Sequence, residues 1–499
     1  MNVSEFPKKS LSGVYQRAIF WILVVTLAAS TGVAVSTNSR AVFVLFGVIA
    51  AVAFATRAPK SFVGFSGFIF LFVRTIEYRS GAPIAGYLDE ACVFISAAVF
   101  PIRSFMATRR LHSIPGLPYF LIFLAFGLIS AFVRQVPTEV LLSGLLLAGK
   151  GILFGWSVAQ LDWRPSDIPR IVRVSVSIMS FILLCAFVNL VAPSFWMNSV
   201  MKSSGFGYRY GFPPIIGPFV HPGYFGTTVA LFAIGVLAYR LQFGKSAVNT
   251  ILLVASSMAA ILTFRRKVLG ALALCFGYLL VRGRGVVGLF ALLGLSPIIA
   301  ILAWPFISSI WDSTATEYLS NPGAVARIRL YIDGFSISAD YFPFGAGLGR
   351  FGSATARSYY SPEYRSLNYD SIWGLGSTPE SGKFLTDTFW PAVFGESGLI
   401  GGTCFVLALV AVFRRSLAGC RIAVDPGSKW IMLVCAVWTV ELFVESLAGA
   451  VFTAAPTYGL YFGLIGICAS LARCLPSEKA LNGDEPVVAA KEKIRHDLA

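Results

Sequence analysis

Charge is what this chain has least of. Only 13% of its 499 residues are Asp, Glu, Lys or Arg, against 56% that are apolar, so the length does not divide into soluble domains. Histidine is rarer still. His112, His221 and His496 are far apart in sequence, which argues against a histidine-based metal site. The eight Cys are scattered, mostly within apolar runs (Cys92, Cys185, Cys275, Cys404, Cys435, Cys468), and the longest loop has none. That pattern offers neither a disulfide framework nor zinc-ligand spacing. No small-residue cleavage site follows the first apolar run, although Lys8, Lys9 and Arg17 precede it. A retained first helix is expected there rather than a cleaved signal.

What is present is a succession of apolar runs, many about long enough to cross a hydrocarbon core of roughly 30 Å and several short enough that one hairpin could be re-entrant. They fall at 18–36, 41–56, 61–75, 83–101, 117–133, 139–158, 170–192, 222–239, 247–263, 268–281, 285–304, 388–413, 429–449 and 453–472. The hydrocarbon core excludes unpaired backbone, so these are helices. The expected fold is an all-α polytopic bundle of about fourteen spans with one long, partly helical extracytoplasmic loop. Its divisions are 1–304 (spans 1–11), 305–386 (the loop), 387–474 (spans 12–14) and 475–499, a polar cytoplasmic tail with disordered composition.

The net charge of +16 comes from cations in short loops between spans. It is a positive-inside pattern, not a nucleic-acid signal. Arg103, Arg109 and Arg110, Arg164, Arg170 and Arg173, and Arg414, Arg415 and Arg421 mark cytoplasmic loops and put both termini inside. Two outward regions break the trend. One is Arg265-Arg266-Lys267 in a tight turn. The other is the long loop, with Arg327, Arg329, Arg350, Arg357, Arg365 and Lys383. Such clusters suit a polyanion such as a pyrophosphate, which arginine grips through a planar fork of donors. The positive-inside rule also counts long loops poorly, so the second region has an ordinary explanation as well.

The stretch 203–226, "SSGFGYRYGFPPIIGPFVHPGYFG", is rich in Gly, Pro and aromatics. Aromatics of this kind anchor at a membrane interface or stack on the apolar faces of sugars. Arg209 is its central cation, and His221 precedes Pro222 where a helix should start. Residues 324–340 carry a helical pattern with Ile328, Tyr331, Ile332 and Phe335 on one stripe. The following "GAGLGRFG" formally contains GxGxxG. A dinucleotide site would need a strand before it and a helix after it in a βαβ unit, which this context lacks. Its glycines are expected to permit tight turning or to bring backbone N–H groups against an anion.

Intramembrane charges are costly and mark candidates for function. Here they are Lys150, Glu396, Glu441 and Glu445. Lys150 needs a partner, and a structural ion pair is expected for it. Glu441 and Glu445 share a helix face that lines an outward cavity floor or pairs with loop cations. Asp387 stands at the mouth of a helix, where it either caps free N–H groups or faces the outside. Nine residues separate it from Glu396, half a turn out of phase on a regular helix. Glu396 is therefore expected to be an internal hydrogen-bonding residue facing another span, not the partner of Asp387.

Three motifs together resemble the O-antigen ligase and Wzy-type polysaccharide polymerase superfamily of bacterial inner-membrane proteins. They are "RYGFPPIIGPFVHPGYFG" (209–226), "LTFRRKVLGALAL" (262–274), and Arg327 through "PFGAGLGRF" (343–351) to "TDTFWPAVFGESGLIGG". The resemblance covers roughly residues 200–415. Ligases of that superfamily have His where this chain has Asp387 and Asn where it has Thr388, whereas Glu396 and Gly398 match. Asp at that place looks more like the polymerase branch.

The resemblance implies transfer of a growing glycan from undecaprenyl pyrophosphate onto another lipid-linked repeat unit at the periplasmic membrane face. Arg209, Arg265 and Arg266, with Arg327 in support, would hold the pyrophosphate, and Asp387 would be the base. Arg329, His221 and Glu445 complete the substrate-side candidates. No metal or organic cofactor is expected, because arginine can supply the charge stabilisation. The implied partners are the lipid-linked donor and acceptor, membrane lipid, a chain-length regulator and a flippase. A glycan ligase is the nearest alternative. A lipid-linked oligosaccharide transporter is the alternative of another class, although no internal repeat of the kind transporters carry is evident.

Overall fold

The computed structural model describes residues 39–202, 208, 211–285 and 326–475. The expected span at 18–36, nearly all of that at 285–304, Arg209 and the tail from 476 lie outside the described residues. Within them the chain is helical, with no β-strand. Its principal helices are α1 (Ser39–Arg57), α2 (Pro59–Ser80), α3 (Leu88–Thr108, led in by a 3-10 turn at Pro83–Tyr87), α4 (Leu117–Val133), α5 (Thr138–Ala159), α6 (Ile168–Val191) and α7 (Pro222–Phe243). There follow α8 (Ala247–Ile261), α9 (Arg266–Arg284), α10 (Ala326–Asp340), α11 (Ala354–Tyr359), α12 (Trp390–Ile422), α13 (Pro426–Ser446) and α14 (Thr457–Ala472).

Seven helical stretches are long and apolar enough to cross a membrane, and four shorter apolar helices accompany them. Sequence chemistry sets their ends. Pro59, Pro222 and Pro426 occupy first-turn positions, where a missing N–H costs nothing. Asp425 caps α13 by accepting from Ser428 N–H at 2.8 Å. Ser246 and Asn249 form a reciprocal capping box at the start of α8.

Two pairings make the bundle centre: α12 runs along α4, and α14 along α5. The second is a close approach, since a Cβ on Gly466 would come within 2.4 Å of the Gly155 carbonyl oxygen. Small residues let helix backbones meet where lipid supplies no hydrophobic drive. Of the seven long stretches, the most enclosed is α7, which packs against α8, α9 and α13.

The partner that Lys150 required is supplied by the start of α3. Its ammonium lies 3.0 Å from Asp89 Oδ2 and 2.5 Å from Glu90 Oε1. Tyr458 of α14 donates to the same Asp89 oxygen at 2.8 Å.

Residues 326–389 form a small unit on α12 with its own core of Leu330, Phe351, Tyr364, Tyr369, Leu375 and Leu385. The expected helix over 324–340 is present from Ala326, but its apolar stripe is not its most buried face. Ile332 and Phe335 are exposed, while Ala326, Leu330, Asp333, Gly334, Ile337 and Ser338 face inward. The reason is steric: a Cβ on Gly334 would sit 3.0 Å from Pro391 Cα, so small residues are needed where α10 lies on α12.

α12 itself is broken. Gly398 has φ 75° and ψ 177°, outside any helix. The glycine-rich segment fills the break: Ala346 N–H donates to the Gly395 carbonyl at 2.8 Å and Gly347 N–H to the Glu396 carbonyl at 3.0 Å. Backbone groups released at the kink are thereby satisfied inside the protein, as buried helix breaks require.

Candidate functional site

A cavity of about 990 Å³ opens between this unit and the helices. Its wall is assembled from distant pieces of sequence. The N-terminal turn of α9 contributes Arg265, Arg266 and Lys267, and the start of α7 contributes His221, Gly223 and Thr227. Arg327 of α10, Arg357 of α11, Arg74 of α2 and residues of the turn-rich run from Lys383 to Phe389 line the same cavity. Asp387 and Glu396 are its lining carboxylates. Cations thus dominate, and the start of α9 adds the positive end of a helix dipole.

Asp387 does not cap α12. The residue before that helix is Phe389, which makes no side-chain cap. Asp387 instead binds Arg327, with Nη2 to Oδ2 at 2.6 Å, and remains about one-third exposed (34%). Arg327, expected in support of the pyrophosphate cations, lines the cavity and also holds this carboxylate. Beside it, Thr388 is fully buried, and its Oγ1 has no hydrogen-bond partner among the described residues. A polar atom left in that state at a cavity wall is a ready contact for a ligand.

The two carboxylates of "LTDTFWPAVFGESGLIGG" are not separated by helical phase. The helix begins only at Trp390, so Asp387 is not on it, and both side chains line the same cavity. Glu396 is internal, as expected, but its partners are not on another span. It accepts from Ser353 Oγ at 2.6 Å and from Phe351 N–H at 3.2 Å. The N–H groups of "GAGLGRFG" are consumed the same way. Gly345 donates to Ser130 Oγ at 2.9 Å and Gly352 to Tyr364 Oη at 2.8 Å. The segment does cradle a carboxyl group, that of the protein's own Glu396.

His221 accepts the Gly223 N–H on Nδ1 at 2.9 Å and so caps α7, with its ring at the cavity wall. Glu445 is wholly buried behind that wall. Its Oε2 receives the Thr227 hydroxyl at 2.6 Å and lies 3.3 Å from Lys267 Nζ. It therefore orients the third cation of the turn and does not itself line the cavity. Glu441, one turn earlier, is equally buried, with neither oxygen hydrogen-bonded among the described residues.

Arg329 does not belong to the site. It binds Asp333 at 2.7 Å one turn along α10, and Tyr369 Oη donates to the same Asp333 oxygen at 2.9 Å. This is a brace within the small unit. Sequence reasoning missed Arg74, which pairs with Glu77 at 2.9 Å while lining the cavity. The signal was available: an arginine near the end of an apolar run. It also gave too little weight to Lys267, although that residue completes "FRRKV".

No protein-family model matches this sequence, and no curated protein matches it. Chemically, the site offers several cations together with a positioned carboxylate and a buried hydroxyl.

Proposed function

We propose that this chain polymerises oligosaccharide repeat units carried on undecaprenyl pyrophosphate, making an exopolysaccharide or O-antigen at the periplasmic face of a bacterial inner membrane. The observation that carries the reading is that Arg265, Arg266 and Lys267, at a helix N-terminus, line the same cavity as Asp387. The motif resemblance to the ligase and polymerase superfamily supplies the reaction class. In this reading the full chain has about fourteen spans, with both termini cytoplasmic and the 326–389 unit outside.

The step follows from the charges. An acceptor sugar hydroxyl attacks the anomeric carbon of the donor glycan. The bond from that carbon to the pyrophosphate oxygen breaks, and the carrier pyrophosphate leaves with the electron pair. Its growing charge meets the α9 cations, which are fixed beforehand and need no reorganisation. The hydroxyl proton passes to Asp387, whose Oδ2 is held by Arg327. A single displacement inverts the anomeric centre. A chain-length regulator and a flippase are the partners this reading brings.

The test is elongation of a defined lipid-linked repeat by purified protein in detergent, without a gradient. Arg266→Ala should lower the rate by about 100- to 1,000-fold, as for loss of one transition-state donor. Wild-type polymer from that variant would overturn the assignment. Intact lipid-linked polymer that fails to reach a separate acceptor would point to a ligase. Wild-type protein that moves the lipid-linked unit without joining it would point to a transporter.

A further inference from the structure

Beside the cavity mouth stands an aromatic the proposed chemistry does not use. Trp373 is 72% exposed, the most open aromatic among the described residues of a unit whose core rings Phe351, Tyr364 and Tyr369 are fully buried. The loop that carries it is built, not slack. Phe384 N–H donates to the Gly374 carbonyl at 2.9 Å, and Gly376 N–H to the Ser381 carbonyl at 3.0 Å. Tyr360 Oη reaches the Leu375 carbonyl at 3.2 Å, and Arg357 the Pro379 carbonyl at 3.2 Å. Gly374 is required: its φ is 88°, and a Cβ there would lie 2.1 Å from the Phe384 ring.

The surroundings of the indole are specific. Phe384 meets it edge-on, with centroids 5.1 Å apart and planes at 64°. Lys383 Nζ lies 4.4 Å from the indole centroid. The remaining face is left to solvent. Lys383 and Phe384 both line the cavity, and Asp387 N–H donates to the Phe384 carbonyl at 3.0 Å. The indole is thus joined by a single turn of chain to the carboxylate at the reacting position. A rigid open ring face with an ammonium donor beside it matches one ligand chemistry well: a pyranose, which offers an apolar C–H face and a rim of hydroxyls.

We propose that Trp373 is a saccharide-binding platform that stacks on a sugar ring of the glycan just outside the cavity. The proposal rests on the reading that the cavity handles a carrier-linked glycan, and it adds where the glycan chain is gripped. The same ring chemistry arrives on the donor polymer or on the acceptor repeat.

The experiment uses full-length protein in nanodiscs and, as probe, the repeat-unit oligosaccharide released by mild acid from the producing cell's own lipid-linked pool. Binding is measured calorimetrically for wild type, Trp373→Ala and Trp373→Phe. Alanine should weaken binding on the order of tenfold, the loss expected when one apolar ring face returns to water. Phenylalanine, which keeps an aromatic face, should retain most of it. Since Trp373 is largely exposed, the fold should survive both changes.

Absence of binding by wild type overturns the proposal. Equal binding by all three does so too, and leaves Trp373 as an interfacial anchor. Elongation assays then separate the sources. A raised KM for the single repeat marks the acceptor, whereas shorter products at unchanged KM mark the donor chain. Trp373-dependent binding without any polymerisation would refute the proposed reaction while sustaining the saccharide site. Polymerisation by a wild type that binds no free oligosaccharide would do the reverse.

Discussion

Lys150→Met tests whether the buried charge cluster is a structural clamp. Lys150 is 3% exposed and Asp89 wholly buried, and the ammonium is the cation that both Asp89 and Glu90 use. Removing it leaves two carboxylates enclosed with the Tyr458 hydroxyl as the hydrogen-bond donor to Asp89. Breaking one side of a buried ion pair costs about 3–5 kcal/mol, because the remaining charge has lost its compensation. For a chain of this length the unfolding entropy is on the order of 1 kcal/mol per kelvin, from about 2.1 cal/mol/K per residue. The midpoint should therefore fall by about 3–5 °C.

The informative control is the triple variant Asp89→Asn, Glu90→Gln, Lys150→Met. It removes every charge, keeps an acceptor for Tyr458, and should recover most of the loss, since neutral replacement of a whole buried cluster is often close to neutral in energy. Intrinsic-fluorescence melting in detergent and elongation activity should recover together. A triple variant that melts like wild type but stays inactive would refute the clamp and make the charges part of function. A single variant as stable as wild type would refute the energetic argument itself.

Three further outcomes follow from the same contacts. Gly398→Ala should sharply reduce monodisperse protein on size exclusion, because its Cβ would lie 2.3 Å from the Phe344 carbonyl oxygen and φ is positive, which alone costs about 1–2 kcal/mol. Gly270→Ala, where a Cβ meets nothing within 4 Å, should be harmless in the same assay. Glu396→Ala strips the acceptor from Ser353 and Phe351 N–H, so amide exchange across 345–353 should accelerate by about 10- to 100-fold, as for loss of a hydrogen bond to a charged group; unchanged exchange would contradict the anchoring role. Burial pushes the Tyr331 phenol up to about 12, and its hydroxyl donates to the Leu447 carbonyl at 2.9 Å. A phenol raised above its unfolded value of about 10 contributes stability that is complete below pH 10 and lost towards pH 12. The melting midpoint of Tyr331→Phe should therefore be lower at neutral pH and flatter than wild type between pH 10 and 12.

The helices were legible because apolar runs and end signals agreed. The expected start at 222 and the start of α7 coincide, because Pro222 and the His221 cap occur where hydropathy rises. The expected runs also paired the Arg265 turn with the beginning of a helix. Packing faces were less legible. In α10 the apolar stripe of Ile328, Tyr331, Ile332 and Phe335 marks the helix but not its buried face, which contains Gly334 and Ser338. Gly334 lies against Pro391, so close backbone approach selects small residues there, and apolarity alone does not report it. Ion-pair identity was illegible for another reason. Asp89 and Lys150 are brought together by the packing of α3 on α5, and Arg327 and Asp387 by the seating of α10 on α12.

The glycine-rich segment shows how a helix break and a site are coupled. Read linearly, "PFGAGLGRF" offers backbone donors to an outside anion, and Glu396 is a charge awaiting a use. Folded, each answers the other: the break at Gly398 admits the segment, whose N–H groups take the Gly395 and Glu396 carbonyls, and Phe351 N–H with Ser353 takes the Glu396 carboxylate. That closure builds part of the cavity wall, since Gly352, Ser353 and Glu396 line it. Asp387 is presented from the turns that precede α12, not from a helix, and Arg327 on α10 reaches it. The distance in sequence between Asp387 and Glu396 therefore measures nothing about their roles. One carboxylate organises the backbone that makes the wall, and the other is exposed on that wall to whatever the cations hold.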